Sequence, residues 1–199
     1  MQELIRAHIQ RSIQAKQKLL EDAHIIETIA AAGHRLSECF KAGHKLLTCG
    51  NGGSAGDAQH IAAELSIRYR ARPERPSLPA ISLAADSSAL TACGNDFGYE
   101  RVFARQLEGL GRAGDFLLAI STSGNSANVI AALQAARLKG MQNILLTGGD
   151  GGRMLREFAP LVDFSIVVPH EETARIQECH IMIGQILCAV VEKELYGFD

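Results

Sequence analysis

Apolar positions near the start of the chain recur at helical intervals: Leu4, Ile5, Ile9 and Ile13, then Leu19, Leu20, Ile25, Ile26 and Ile29. Steps of three and four place these residues on one face of an α-helix. No glycine interrupts the pattern before Gly33, so two helices joined by a bend are predicted over residues 2 to about 41. After Gly43 the pattern changes to short apolar runs at 45–49, 80–83, 115–120, 143–147 and 163–168, most of them separated by helix-like stretches. Apolar residues at successive positions predict strands covered on both faces, and their alternation with helices predicts a parallel sheet. A last helix is predicted over 172–195, carrying Ile176, Ile181, Ile183, Ile186, Leu187, Val190 and Val191. The first and last helices are apolar around more of their circumference than a surface helix needs, which predicts packing between subunits. The chain divides into a helical segment at 1–42, used in oligomerisation, and an α/β domain at 43–199.

Ligands of open parallel sheets bind beyond the carboxyl ends of the strands. After the first run comes Gly50-Asn51-Gly52-Gly53-Ser54. Its glycines let the backbone approach an anion, and Ser54 is predicted to cap the next helix. On that helix Asp57, His60 and Glu64 share a face at i, i+3 and i+7. The third run leads into Ser121-Thr122-Ser123-Gly124-Asn125-Ser126-Ala127-Asn128, where the hydroxyls outnumber what a helix cap needs and suit phosphate oxygens. The fourth ends in Thr147-Gly148-Gly149-Asp150-Gly151-Gly152, either a plain turn or a further wall of the same site. Neither the Walker pattern nor the dinucleotide glycine fingerprint is present, so a phosphorylated metabolite fits better than a nucleotide.

Composition narrows the function classes. With 199 residues, 47% of them hydrophobic, the chain can build a substantial core. A net charge of −2 gives no global basic field, so no nucleic-acid partner is expected; the densest basic stretch, 68–75, reads as a solvated connection. Five widely spaced cysteines without a C-x-x-C pair indicate reduced, buried thiols and a cytoplasmic location. No run approaches the roughly 18 apolar residues of a membrane span, so no membrane partner is expected.

Four separated motifs then carry a resemblance: Cys49 to His60, Gly94-Asn95-Asp96, Ile120 to Ile130 and Ala174-Arg175-Ile176-Gln177-Glu178. Together they resemble the sedoheptulose 7-phosphate isomerases, also called phosphoheptose isomerases, of the sugar isomerase (SIS) superfamily, and the likeness runs nearly end to end. The resemblance implies a three-layer sandwich around a five-stranded parallel sheet, assembled as a cytoplasmic homotetramer. It implies interconversion of sedoheptulose 7-phosphate and D-glycero-D-manno-heptose 7-phosphate, often with zinc, for ADP-heptose and surface polysaccharide synthesis. Substrate contacts would fall on Asn51, Gly52, Gly53, Ser54, Glu64, Asn95, Asp96, Ser121, Thr122, Ser123, Ser126 and Gln177. Metal and catalytic duties would fall on His60, Glu64 and Gln177. A further metal-binding and catalytic histidine of the family lies eight positions after the glutamine, where this chain has Gln185. An amide oxygen coordinates zinc weakly and does not titrate near neutrality. His180, three residues after Gln177, offers either a substitute acid–base group or a packing residue.

Aldose–ketose isomerisation takes a proton from the carbon beside a carbonyl and returns it to the neighbouring carbon through an enediol. One carboxylate can do this while an electrophile steadies the oxygen charge. Glu64 is the candidate base, His60 a zinc ligand, and Asp57 an acceptor orienting the imidazole ring. Two alternatives remain. One is a non-catalytic binder like the SIS-domain relative that associates with the replication initiator DnaA; the other is a sugar-phosphate sensor.

Overall fold

The computed structural model describes residues 1–198. The N-terminal pattern forms two helices, α1 (Gln2–Glu21) and α2 (Ala23–Lys41). Between them Asp22 closes the first helix and caps the second, its carboxylate accepting from Ile25 N–H at 3.1 Å. The strands are β1 (Leu46–Gly50), β2 (Ala80–Ser82), β3 (Phe116–Ser121), β4 (Gln142–Gly148) and β5 (Phe164–Val168). All pair in parallel, in the order β2-β1-β3-β4-β5. The intervening helices are α3 (Gly53–Ser66), α4 (Ser87–Asp96), α5 (Ala104–Leu110), α6 (Ala127–Leu138) and α7 (Gly152–Arg156); α8 (Thr173–Tyr196) ends the series.

Successive side chains of a strand point to opposite faces, and the core divides accordingly. Leu46, Phe116, Leu118, Ile144 and Leu146 pack under α1, α2, α3 and α8. Leu47, Cys49, Leu117, Ala119 and Leu145 pack under α4, α5, α6 and α7. These are the three layers expected of the fold. All five cysteines are free and buried, and burial pushes the Cys49 thiol up to about 12.

Two expectations are corrected here. The basic stretch is not simply solvated: the Arg75 side chain is 2% exposed and donates to Glu192 at 2.7 Å, to Leu65 O at 2.9 Å and to Glu64 O at 2.7 Å. A guanidinium with five fixed donors can tie the end of α3 to α8 in this way. In addition, α8 does meet the length and hydropathy of a membrane-crossing helix, with a mean hydropathy of 1.2. Its apolar side chains Ile176, Cys179, Ile183, Leu187 and Val191 are core residues against the sheet, so the hydropathy has a packing explanation.

Strand order reverses between β1 and β3, which sit side by side while their onward connections lead to opposite edges. The loops leaving their carboxyl ends therefore part and open a crevice. Both candidate ligand loops are found at this point.

Candidate functional site

The loop after β1 turns into α3 through Gly52, whose φ of 54° lies in the region that favours glycine. Gly52 is thus the residue that caps α3, and no side chain caps the helix. The expectation for Ser54 is corrected: it lies inside the first turn, 6% exposed, its N–H donating to Asn51 O at 3.0 Å. A Cβ on Gly50 would run into the Ser54 backbone, which explains why the strand ends in glycine.

On α3, Asp57 is buried while His60 is half-exposed and the Glu64 side chain is 16% exposed. His60 Nε2 and Glu64 Oε1 are 2.8 Å apart. Gln177, from the start of α8, lies over Gly53 so closely that an added Cβ would overlap its amide. Its amide also lies near Asp57, whose Oδ2 is buried without a hydrogen-bond partner. Burial raises the Asp57 carboxyl, and the neighbouring Gln177 amide and the His60 charge offset only part of the rise. Asp57 thus sits close to both Gln177 and His60 without the hydrogen bond to the imidazole ring that was expected of it. Further along, Gly184 packs on Ile61, and the Cys188 thiol feels the Glu64 charge. Contacts on α3 and α8 therefore advance together, the two helices run parallel, and Gln185 falls at the level of His60 and Glu64.

The loop after β3 presents four hydroxyls. Ser121 Oγ and Ser126 Oγ are 3.1 Å apart across the turn, and Ser126 is the residue before α6. Thr122 and Ser123 line a cleft of about 500 Å³, whose other walls include Gly148, Gly149, His170 and Ile176. The glycine-rich loop after β4 thus borders the site. His60 and Glu64 lie outside the lining of this cleft. The link is the start of α8, where Ile176 forms a wall and the next residue, Gln177, rests on Gly53.

The structure does not draw every candidate residue together. Asn95 and Asp96 stand exposed at the end of α4, hydrogen-bonded to one another at 2.8 Å. Tyr99, a little further on, is the residue of that segment that reaches the β1 loop, donating to Asn51 Oδ1 at 3.2 Å. His180 as a catalytic acid–base group is corrected. It is 0% exposed and faces the sheet, with Nε2 3.0 Å from Thr147 O, and burial brings its pKa down to about 4. Such a group is neutral near pH 7 and out of reach of a ligand in the crevice. Asn128 went unassigned in the sequence reading, although its amide pairs with that of Asn51. An asparagine in a helix's first turn was the available signal, but helix caps share it.

A doubly wound parallel sheet with two hydroxyl-rich or glycine-rich loops at its switch point defines the class: the SIS domain family matches residues 10–148. The chain is 47% identical over 197 residues to the phosphoheptose isomerase of Sulfurimonas denitrificans, covering 99% of this chain and 98% of the relative. It is 51% identical over 186 residues to that of Chlorobaculum parvum, covering 89% and 87%. The solved phosphoheptose isomerase of Neisseria gonorrhoeae superposes with a TM-score of 0.88 at 44% identity, covering 96% of this chain and 98% of that one. The chain belongs to the phosphoheptose isomerase family of SIS-domain proteins.

Proposed function

We propose that the protein interconverts D-sedoheptulose 7-phosphate and D-glycero-D-manno-heptose 7-phosphate through an enediol. Beyond family membership, the observation that carries this reading is the pairing of Glu64 with His60 at 2.8 Å, on the helix that leaves the glycine loop. Ser121, Thr122, Ser123 and Ser126 with the start of α6 take the phosphate. Gly52 and Gly53 bring backbone close to the sugar. The Glu64 carboxylate removes the proton beside the carbonyl and returns it to the adjacent carbon, with His60 Nε2 2.8 Å from one of its oxygens. Asn95 and Asp96 retain a sugar-contact role only through the resemblance.

Zinc would be held by His60, Glu64 and Gln177, with Gln185 offering a second amide oxygen. Among the described residues no three His, Cys, Asp or Glu side chains form a metal-holding group, so an amide has to complete the set. The donor set fits a cation because the buried Asp57 Oδ2, beside Gln177 and His60, has no hydrogen-bond partner of its own. When bound, zinc would polarise the sugar carbonyl. One imidazole and one carboxylate are its strong donors, so the expected hold is looser than in a closed structural site. Metal analysis before and after dialysis against a chelator tests this; zinc retained through dialysis would contradict it.

The coupled isomerase assay on sedoheptulose 7-phosphate is expected to show turnover that Glu64→Gln removes. Full activity in that variant would exclude Glu64 as the base. We further propose a cytoplasmic homotetramer, supported by buried free thiols and by the exposed apolar stripe Leu4, Ile5, Ile9 and Ile13 of α1.

A further inference from the structure

Asn51 and Asn128 meet where the strand order reverses. Asn51 follows β1, Asn128 lies in the first turn of α6 after β3, and β1 and β3 are adjacent. Asn51 Nδ2 donates to Asn128 Oδ1 at 2.8 Å, and Asn128 Nδ2 donates to Asn51 Oδ1 at 2.8 Å, closing a ring of two amides. Asn128 is 3% exposed, and the Tyr99 hydroxyl adds a second donor to Asn51 Oδ1 at 3.2 Å.

A side-chain amide offers two N–H donors and an oxygen with two lone pairs. Both lone pairs of Asn51 Oδ1 are occupied, and one N–H remains. Turning the amide over would set NH2 against NH2 and cost both ring bonds, so its orientation is fixed. The β1 loop needs such a tie, because Gly50, Gly52 and Gly53 give it few side chains of its own.

We propose that the Asn51–Asn128 ring is a clamp setting the separation of the two ligand loops. Asn128 is a positioning residue for substrate, and Asn51 meets the substrate through a single N–H, as donor and never as acceptor. This rests on the reading of the two loops as the sugar-phosphate site. Substrate that bridges both loops binds well only if their spacing is set beforehand; a loosened clamp weakens binding more than it slows the proton transfer at Glu64.

The test compares Asn128→Leu, Asn51→Leu and the double variant in isomerase kinetics, in calorimetric binding of heptitol 7-phosphate, which has no carbonyl to isomerise and is long enough to bridge both loops, and in thermal unfolding. Asn128→Ser, which breaks the ring without adding bulk, replaces Asn128→Leu should the latter not fold. Asn128→Leu is expected to raise KM and weaken heptitol 7-phosphate about tenfold with a much smaller change in kcat; Asn51→Leu, which also loses its own N–H to substrate, is expected to be weaker still, and the double variant no worse than Asn51→Leu alone. Unchanged KM and heptitol 7-phosphate binding in the Asn128 variant, or a double variant worse than Asn51→Leu alone, would overturn the clamp. If the unmodified protein binds heptitol 7-phosphate without turning over the heptose phosphates, the functional reading fails and the binding comparison still decides the clamp. A protein that does neither overturns both.

Discussion

Gly53 and Gln177 touch because one of them has no side chain. A methyl group at position 53 would meet only the flexible end of Gln177, which can swing aside. Gly53→Ala is therefore expected to lower isomerase activity at least about tenfold, with thermal stability nearly unchanged. Gly124 makes the opposite case. Its φ is +63° and a Cβ would strike the Gly151 backbone, which cannot move away. Gly124→Ala should cost about 3 kcal/mol in urea unfolding. His180 adds a pH signature. Its folded pKa of about 4 lies below the 6.5 of the free side chain, so between these values the unfolded chain binds the extra proton. The stability tied to a neutral His180 is thus full above about pH 6.5 and is lost as pH falls toward 4. Denaturant titrations at pH 7 and pH 5 should show a loss of about 2 kcal/mol that is missing in His180→Gln. Sequence spacing found the shared face of Asp57, His60 and Glu64, because helix geometry fixes it. It missed that Gln177 settles beside Gly53 and Asp57, because that contact depends on where a distant helix packs.

Helix α3 is held along its length by α8. Gln177 lies on Gly53, Ile61 fits against Gly184, and Arg75 fastens the carbonyls of Glu64 and Leu65 while bonding to Glu192. Glu192 is 1% exposed, so Glu192→Ala would strand a buried guanidinium. The expected loss is about 3–5 kcal/mol by chemical denaturation, larger than exposed ion pairs such as Arg153–Glu157 contribute. All five strands were legible as apolar runs, most clearly the central β1, β3 and β4, which are covered on both faces and need apolar residues nearly throughout. The start of α3 was not. Serine at position 54 resembles a cap, but the positive φ that only glycine adopts easily moved the helix start to Gly53. Arg75 was equally hidden, since its burial depends on Glu192 arriving from the last helix.

Across the whole molecule, the sheet sets the site and the apolar stripe of α1 faces outward. Leu4, Ile5, Ile9 and Ile13 are each more than half exposed on α1. An apolar groove of about 280 Å³ runs between α1, α2 and α8, lined by Leu19, Leu20, Ile26, Met182 and Ile186. Together they supply the surface for the proposed assembly, and Ile9→Asp is expected to shift the protein to a smaller species in analytical ultracentrifugation. An unchanged sedimentation profile would place the interface elsewhere. The ion pair between Arg75 and Glu192 spans 117 positions of chain, and the Asn51–Asn128 ring spans 77. Contacts between such distant segments cost loop-closure entropy before they return any stabilisation, which slows folding. On dilution from denaturant, the far-ultraviolet helix signal is expected to recover first and orthophosphate binding last. The loops near the middle of the chain would thus wait for its final helix before they could hold a ligand.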